Sequence, residues 1–103
     1  SLKLRQIIAR YRVSSHHLAV EEGRWRGIER HHRTCRLCDT LSIENEYHVF
    51  IACGVYREVR VAHQILAQDL HVLFRLPPKQ LGQYLMAIDR KRDERLKALE
   101  SAL

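Results

Sequence analysis

The sequence has little of what marks a membrane, secreted or disordered protein. Its 103 residues include only three cysteines, four glycines and two prolines. Three cysteines are few and odd in number, which argues against a small secreted fold held by disulfides. No uncharged apolar stretch approaches the ~18 residues of a membrane span, and no N-terminal segment has the layout of a signal peptide. Alternating β patterns are also absent, so the chain is expected to be all-α.

The composition that remains is that of a globular domain, with 46% hydrophobic and 29% charged residues. The length fits one domain over residues 1–103, and we expect it to be intracellular, nuclear or cytoplasmic. Because the chain starts without Met, we also expect it to be part of something longer. Within it we distinguish basic N-terminal helices (1–34), a cysteine-rich knuckle (35–53) and further helices (55–103).

Positive charge is concentrated in the first third of the chain. Residues 1–36 contain nine Lys or Arg and three Glu, whereas residues 37–103 contain nine basic and nine acidic side chains. The whole net charge of +6 therefore lies in the first 36 residues. Most of these cations are arginines, which bind phosphates in a fork and stack on bases. The pattern favours a nucleic-acid partner, although a basic surface that only keeps the domain soluble is the alternative.

Apolar spacing predicts several helices. The first is amphipathic, with Leu4, Ile7, Ile8 and Tyr11 on its apolar stripe and cations on its outer face. The other expected segments are a short helix over 16–22 capped by Ser14 or Ser15 and ended by Gly23, a basic loop over 23–34, a helix from Ile43 to about Cys53, and a last helix from Pro78 to the end. Between them we expect one helix of about 20 residues from Val55 to Leu73, in which a break at Asp69 and His71 is the alternative.

All three cysteines fall in one window with a histidine, in the spacing Cys35-x2-Cys38-x9-His48-x4-Cys53. Zinc binds four thiolate or imidazole ligands in a tetrahedron, so this window predicts a Zn²⁺ site. On a continuous helix His48 and Cys53 would lie about 140° apart. The helix should therefore end or distort just before Cys53, and Gly54 is placed to serve such an ending.

Other interpretations of these residues stay open. The cysteines are alternatively buried structural thiols or a redox Cys-x-x-Cys pair, although such a pair usually opens a helix after a strand. His31 or His32, just before Cys35, is an alternative ligand in place of His48. A catalytic metal is not expected, because three Cys and one His would close its shell, and no catalytic grouping stands out beyond a His31-His32 pair that could mimic a nuclease base.

The residues also carry a resemblance. The runs RYRVSSHHLAVEEGRWRGIERHHRTCRLC and ENEYHVFIACGVYREVR look like the zinc-knuckle (CCHC) region downstream of the polymerase in animal non-long-terminal-repeat retrotransposon reverse transcriptases. The resemblance covers roughly residues 10–60. In the family pattern an acid lies three positions before the histidine, whereas here the acid before His48 is Glu46 or Glu44. The matching positions are Arg12, Ser15, Leu18, Glu21, Gly23, Arg24, Trp25, Cys35, Cys38, His48, Cys53, Tyr56 and Arg60.

The resemblance implies a domain that grips template RNA or target DNA for the remainder of a larger retroelement-type protein. The polymerase's catalytic aspartate motif is not in this chain, so no enzyme activity is expected. From the residues themselves, a cluster beside the knuckle would form the nucleic-acid surface: Arg24, Trp25, Arg26, Arg30, Arg33 and Arg36. Trp25 would stack on an unpaired base, or alternatively anchor the core.

A protein-interaction module is the alternative function. In that case zinc would staple the fold while the C-terminal Leu96, Leu99 and Leu103, or the exposed face of a 55–74 helix, meets a partner. A homodimer through the C-terminal helix is one form of this hypothesis. Salt-dependent binding to DNA or RNA separates the two functions.

Overall fold

Five α-helices, one π-helical segment and two 3-10 turns build the described part of the chain. A computed structural model describes residues 2–12, 16 and 18–102. The α-helices are α1 (Leu2–Arg12), α2 (Ala19–Trp25), α3 (Arg57–Ala62), α4 (Leu70–Leu73) and α5 (Pro78–Ser101). The π-helical segment is His48–Ala52, and the 3-10 turns are Arg30–His32 and Gly54–Tyr56.

The prediction of an all-α domain is confirmed. Within the described ranges, extended backbone pairs only at an isolated antiparallel bridge between Thr34 and Ile43. No helix among the described residues is both long and apolar enough to cross a membrane.

Helices α1 and α5 form the main packing unit. Ile7, Ile8 and Tyr11 of α1 are buried, as their spacing predicts, and α5 begins at Pro78 as expected. The two helices are in close contact at Gly82, where an added Cβ would lie 2.8 Å from the Cβ of Leu4. A glycine is therefore needed at this contact. On α5 the buried stripe comprises Leu81, Tyr84, Leu85 and Ile88.

The π-helical segment is anchored to this pair of helices through Phe50. The Phe50 ring is fully buried and meets the Tyr11 ring edge-on, with 4.8 Å between centroids. Its backbone carbonyl accepts a 2.6 Å hydrogen bond from the hydroxyl of Tyr84. Burial raises the pKa of Tyr84 to about 12, so this hydroxyl stays protonated and able to donate. The segment that carries His48 is thus fixed against the core.

The prediction of one helix from Val55 to Leu73 is wrong. The chain instead forms a 3-10 turn, then α3, then a turn at Gln64, which has a positive φ of 56°. Helix α4 starts at Leu70 and is capped by Asp69, whose carboxylate accepts a 2.8 Å hydrogen bond from the Val72 amide. Leu66, which a continuous helix would place on the same buried stripe as Val59 and Leu73, is 89% exposed. Spacing in threes and fours does not reveal such a break, because separate short helices bury residues at similar intervals.

Helix α2 lies later in the chain than predicted. The expected helix over 16–22 is Ala19–Trp25, so the expected basic loop over 23–34 begins inside it and also contains a 3-10 turn. Gly23 does not end the helix; it is buried, and an added Cβ would lie 2.5 Å from Cγ of Arg33. The positive φ belongs to Gly27 instead, at 70°. Ser14 and Ser15, the predicted caps, lie outside the described residues.

Candidate metal centre

The first two cysteines lie in a hairpin, residues 33–44, which we call the knuckle hairpin. Its two sides are joined by hydrogen bonds from the Cys35 amide to the Ser42 carbonyl (2.8 Å) and from the Glu44 amide to the Arg33 carbonyl (2.9 Å). The backbone amides of Leu37 and Cys38 lower the pKa of the Cys35 thiol. Two thiols are thereby brought to one side of a tight turn whose amides stabilise a thiolate.

The other two residues of the cluster come from the π-helical segment. Asn45 accepts a 2.8 Å hydrogen bond from the His48 amide and so caps the start of this segment. At its end the Cys53 amide donates to the His48 carbonyl at 2.6 Å, a bond that spans five residues rather than four. Because this wider turn closes on the fifth residue, His48 and Cys53 can serve one site despite their spacing.

The expected distortion before Cys53 is therefore confirmed, and its form is a π-helical turn followed by extended backbone at Cys53 (φ −66°, ψ 125°). The expected role of Gly54 is wrong: Gly54 starts a 3-10 turn and does not adopt a positive φ. Arg60 fixes this exit, because its Nη2 donates a 2.6 Å hydrogen bond to the Cys53 carbonyl.

The four predicted metal ligands are brought together. One donor atom from each of Cys35, Cys38, His48 and Cys53 lies within 4.8 Å of every other, and Cys38 Sγ is 3.4 Å from His48 Nε2. Ligands about 2.3 Å from an ion at tetrahedral angles are separated by ~3.8 Å, so small side-chain movements suffice to close a shell around one metal ion. None of the three cysteines forms a disulfide. The four side chains therefore fit a metal ion by chemistry and by placement.

His31 and His32 do not belong to the cluster. They are exposed on the 3-10 turn, with 4.0 Å between their ring centroids. Of the histidines weighed as ligands, His48 is the one that the fold places among the cysteines. It is also buried, as are Cys35 and Cys53, while Cys38 is half-buried.

The pKa values of the Cys35 and Cys53 thiols are shifted in opposite directions. A hydrogen bond from Cys53 lowers the pKa of Cys35 to about 5 against the opposing effect of burial, and the amides of Leu37 and Cys38 act in the same direction. The same pairing with Cys35, together with burial, raises the pKa of Cys53. The cluster thus already stabilises a thiolate at Cys35, which is the ionisation state in which cysteine binds metals.

A buried ion pair connects the knuckle hairpin to two helices. Glu44 is 2% exposed and Arg92 of α5 is 8% exposed. Their two hydrogen bonds are 2.7 and 2.9 Å long. Burial acts to lower the pKa of Arg92, but the hydrogen bonds and charge of Glu44 outweigh it and leave the pKa raised. Glu44 Oε1 also accepts from the Ala19 amide at 2.6 Å, so it caps the start of α2.

The Glu44–Arg92 ion pair was not predicted from the sequence, although the position of Arg92 on α5 indicates a buried partner. Arg92 follows the buried Ile88 by four residues and therefore continues the apolar stripe of α5. An arginine on such a stripe indicates a buried partner of opposite charge. In the sequence, Glu44 stands out only as an acid preceding His48.

The arginines and the tryptophan beside the knuckle occupy two kinds of position. Trp25 is 82% exposed, so it does not anchor the core. The other exposed members are Arg24, Arg26, Arg30 and Arg36. Arg33 is half-buried and donates to the carbonyls of Ile28 (2.7 Å) and Val20 (3.1 Å). Arg33 thus ties the segment after α2 to the knuckle hairpin.

A cleft of about 640 Å³ lies beside this surface, between α2, the knuckle hairpin and the C-terminal half of α5. Arg26, Arg33 and Arg36 line it together with acidic residues of α2 and α5. Leu96 also lines the cleft and is half-buried, as is Leu99. Leu103, the third leucine of the predicted dimer seam, lies outside the described residues.

No family model, curated protein or solved structure matches this chain. The function of the cluster and of the surface beside it must therefore be inferred from their own geometry and chemistry.

Proposed function

We propose that Cys35, Cys38, His48 and Cys53 bind one structural zinc ion. The observation that carries this proposal is the convergence of their donor atoms within 4.8 Å. Three sulfurs and one imidazole nitrogen are the donor set of structural zinc sites, whereas calcium and magnesium require oxygen ligands. Four protein ligands leave no open position for water or substrate, so the proposed metal has a structural and not a catalytic role.

Metal analysis and cobalt substitution test the zinc proposal. Purified protein should contain one zinc per chain, and Co²⁺ in its place should give the visible absorption of a tetrahedral thiolate complex. Cys38→Ser should abolish the tetrahedral spectrum, while His32→Asn, which removes an exposed imidazole outside the cluster, should leave it unchanged. Protein that folds identically without metal and gives no cobalt spectrum would overturn the proposal.

We further propose that the domain binds RNA or DNA for a larger retroelement-type protein. The binding surface, which we call the Arg/Trp surface, comprises Arg24, Trp25, Arg26, Arg30, Arg33 and Arg36. The exposure of Trp25 between two exposed arginines carries this proposal. An indole ring that is 82% exposed is available for stacking on an unpaired base, and flanking guanidinium groups attract the phosphates on either side.

The nearby acids do not neutralise this surface. Arg24 lies 3.7 Å from Glu21, and Arg26 lies 3.8 Å from Glu22, with both guanidinium groups largely in solvent. The Glu21 side chain is largely buried, but at 3.7 Å its contact with Arg24 is long, and the Arg26–Glu22 pair is exposed on both sides. An exposed pair contributes at most about 1 kcal/mol, so a phosphate can compete for Arg26 and for the solvent-facing side of Arg24. Arg33 contributes differently: its two carbonyl contacts hold the backbone that presents Arg30 and Trp25.

Charge removal tests the Arg/Trp surface. Binding of fluorescent single- and double-stranded RNA and DNA would be measured across a range of salt concentrations. Replacing Arg24, Arg26 and Arg30 with Ala should weaken binding and flatten the slope of log K against log salt by roughly 0.7–0.9 for each phosphate that the variant no longer neutralises. A triple variant at the exposed Arg90, Arg95 and Lys97 of α5 removes the same charge and should retain most of the affinity and slope.

Trp25→Ala separates stacking from simple charge attraction. Because Trp25 is exposed, the variant should keep its melting temperature while losing about 1–3 kcal/mol of affinity for single strands. Leu66→Ala, at another highly exposed apolar residue, should change neither quantity. If the folded triple and Trp25 variants bind as tightly as the wild type, and sedimentation shows a dimer, the protein-interaction function is favoured instead.

A further inference from the structure

A second surface lies along the junction of α1 and α5. Two adjoining depressions of about 340 and 290 Å³ share Arg5 and Pro78. We call them together the cationic groove. Its floor includes Ile8, Ala9, Leu76 and Leu81, and its rim carries Arg5, Arg12 and Lys79.

Charge in the cationic groove has one sign. Among the residues that the structure describes, no Asp or Glu lines either depression, and α1 itself contains no Asp or Glu among its 11 residues. The cleft beside the knuckle hairpin differs, since arginines and carboxylates alternate around it. A groove with an apolar floor and an unneutralised cationic rim is complementary to a ligand with apolar side chains between carboxylates.

The rim is partly pre-positioned. Arg12 Nη2 donates a 2.9 Å hydrogen bond to the Phe74 carbonyl, and the guanidinium carbon lies 5.8 Å from the centre of the Phe74 ring. Its remaining donors face no partner carboxylate among the described residues. An arginine held in this way loses less conformational entropy when it binds an acid.

We propose that the cationic groove docks an acidic amphipathic helix of a partner protein. Ile8 and Ala9 lie three and four residues after Arg5, and Arg12 lies four and three residues after them, so all four share one face of α1. Arg5 and Arg12 are seven residues apart, about 10.5 Å along the helix axis. A helix laid along the groove with two acids seven residues apart, and apolar residues three and four positions after the first acid, matches this face.

A nucleic acid matches the groove less well. Phosphates would meet Arg5 and Arg12 but would bury no apolar surface against Ile8 and Leu76. In the described part of the chain, no aromatic side chain lines the groove to stack on a base. The apolar floor, in contrast, suits leucine or phenylalanine side chains, which supply most of the binding energy of helix-in-groove interfaces.

Peptide selection on the zinc-loaded domain tests the proposal. A random peptide library would be selected on the wild type after depletion on Ala9→Trp, whose indole fills the groove at an exposed position. Enriched peptides should be acidic and amphipathic, with carboxylates about seven residues apart. Absence of enrichment, or enrichment of neutral or basic sequences, would overturn the proposal.

Affinities for an enriched peptide, labelled with fluorescein, then identify the site. Arg5→Glu should raise Kd at least about tenfold, because it replaces an attractive contact by a repulsive one. Lys3→Glu makes the same charge change on α1 outside the groove and should alter Kd no more than about twofold. Equal effects of the two variants would indicate unspecific attraction and refute the groove as the site.

Two further measurements exclude other occupants. If a single-stranded oligonucleotide displaces the peptide and Arg5→Glu weakens the oligonucleotide more, the groove binds nucleic acid and the proposal fails. If the wild type sediments as a dimer that Ala9→Trp dissociates, the occupant is a second copy and the proposal also fails. Trp25→Ala should leave peptide binding unchanged, so the fate of the Arg/Trp surface and that of the groove are decided separately.

Discussion

Glu44→Gln should destabilise the fold far more than a one-atom change suggests. The substitution keeps the shape of the side chain and still allows an acceptor for the Ala19 amide, but it removes the charge facing Arg92. Both side chains are almost fully buried, so the guanidinium would be left without a counter-ion. Removing one partner of a buried ion pair costs about 3–5 kcal/mol for this reason.

That magnitude is large for this domain. A chain of this size has a free energy of unfolding of about 5–15 kcal/mol, and each kcal/mol of destabilisation lowers Tm by about 4–8 °C. Glu44→Gln is therefore expected to lower Tm by at least about 12 °C in the presence of zinc, measured by circular dichroism and checked by urea unfolding.

Two variants show whether removal of the charge is responsible. Glu44→Gln combined with Arg92→Met removes the stranded cation and should recover at least about 1 kcal/mol relative to the single variant. Glu22→Gln removes a carboxylate whose distance to exposed Arg26 is 3.8 Å, and it should change stability by less than about 0.5 kcal/mol. A destabilisation below about 1 kcal/mol for Glu44→Gln, with no recovery in the double variant, would refute this account.

Two predictions concern other parts of the fold. Strong chelation of metal, or Cys38→Ser, should unfold at least residues 35–53, because a structural zinc site contributes directly to folding. Both the helical circular dichroism signal and Tm should then fall. Unchanged melting after both treatments would contradict this prediction. Gly23→Ala should lower the free energy of unfolding by about 1–3 kcal/mol despite the better helix propensity of Ala. The added Cβ would lie 2.5 Å from Cγ of Arg33, whose side chain is held by two hydrogen bonds to backbone carbonyls. Gly54→Ala, where an added Cβ meets nothing within 4 Å, is its control in chemical unfolding and should be nearly neutral.

Features set by residues close together in sequence were the predictable ones. Spacing predicted that Cys35, Cys38, His48 and Cys53 form one cluster, because a Cys-x-x-Cys turn needs few residues and the chain has no cysteine outside this window. The apolar stripes of α1 and α5 were also predictable, since each is long enough for its period to be unambiguous. The conflict between five-residue spacing and a regular helix correctly required a distortion before Cys53.

Features set by distant residues were not predictable in the same way. Local signals placed the end of α2 at Gly23, yet the glycine is required there by Arg33, ten residues later. The cap of α2 comes from Glu44, 25 residues after Ala19, rather than from a preceding serine. A local motif cannot identify either partner, because the pairing depends on how the knuckle hairpin folds back against α2.

The same long-range contacts extend the influence of the Cys/His cluster beyond its own four residues. Cys35 and Cys38 lie in the knuckle hairpin, and so do Arg33 and Glu44. Arg33 holds the carbonyls of Val20 and Ile28, while Glu44 holds the first amide of α2. Helix α2 ends at Trp25, so the hairpin secures both the start of this short helix and the chain that follows it. Seven residues are too few for a helix to be stable alone in water. A metal ion that fixes the hairpin would therefore also fix the Arg/Trp surface, and loss of the ion would disorder that surface even though none of its side chains is a ligand.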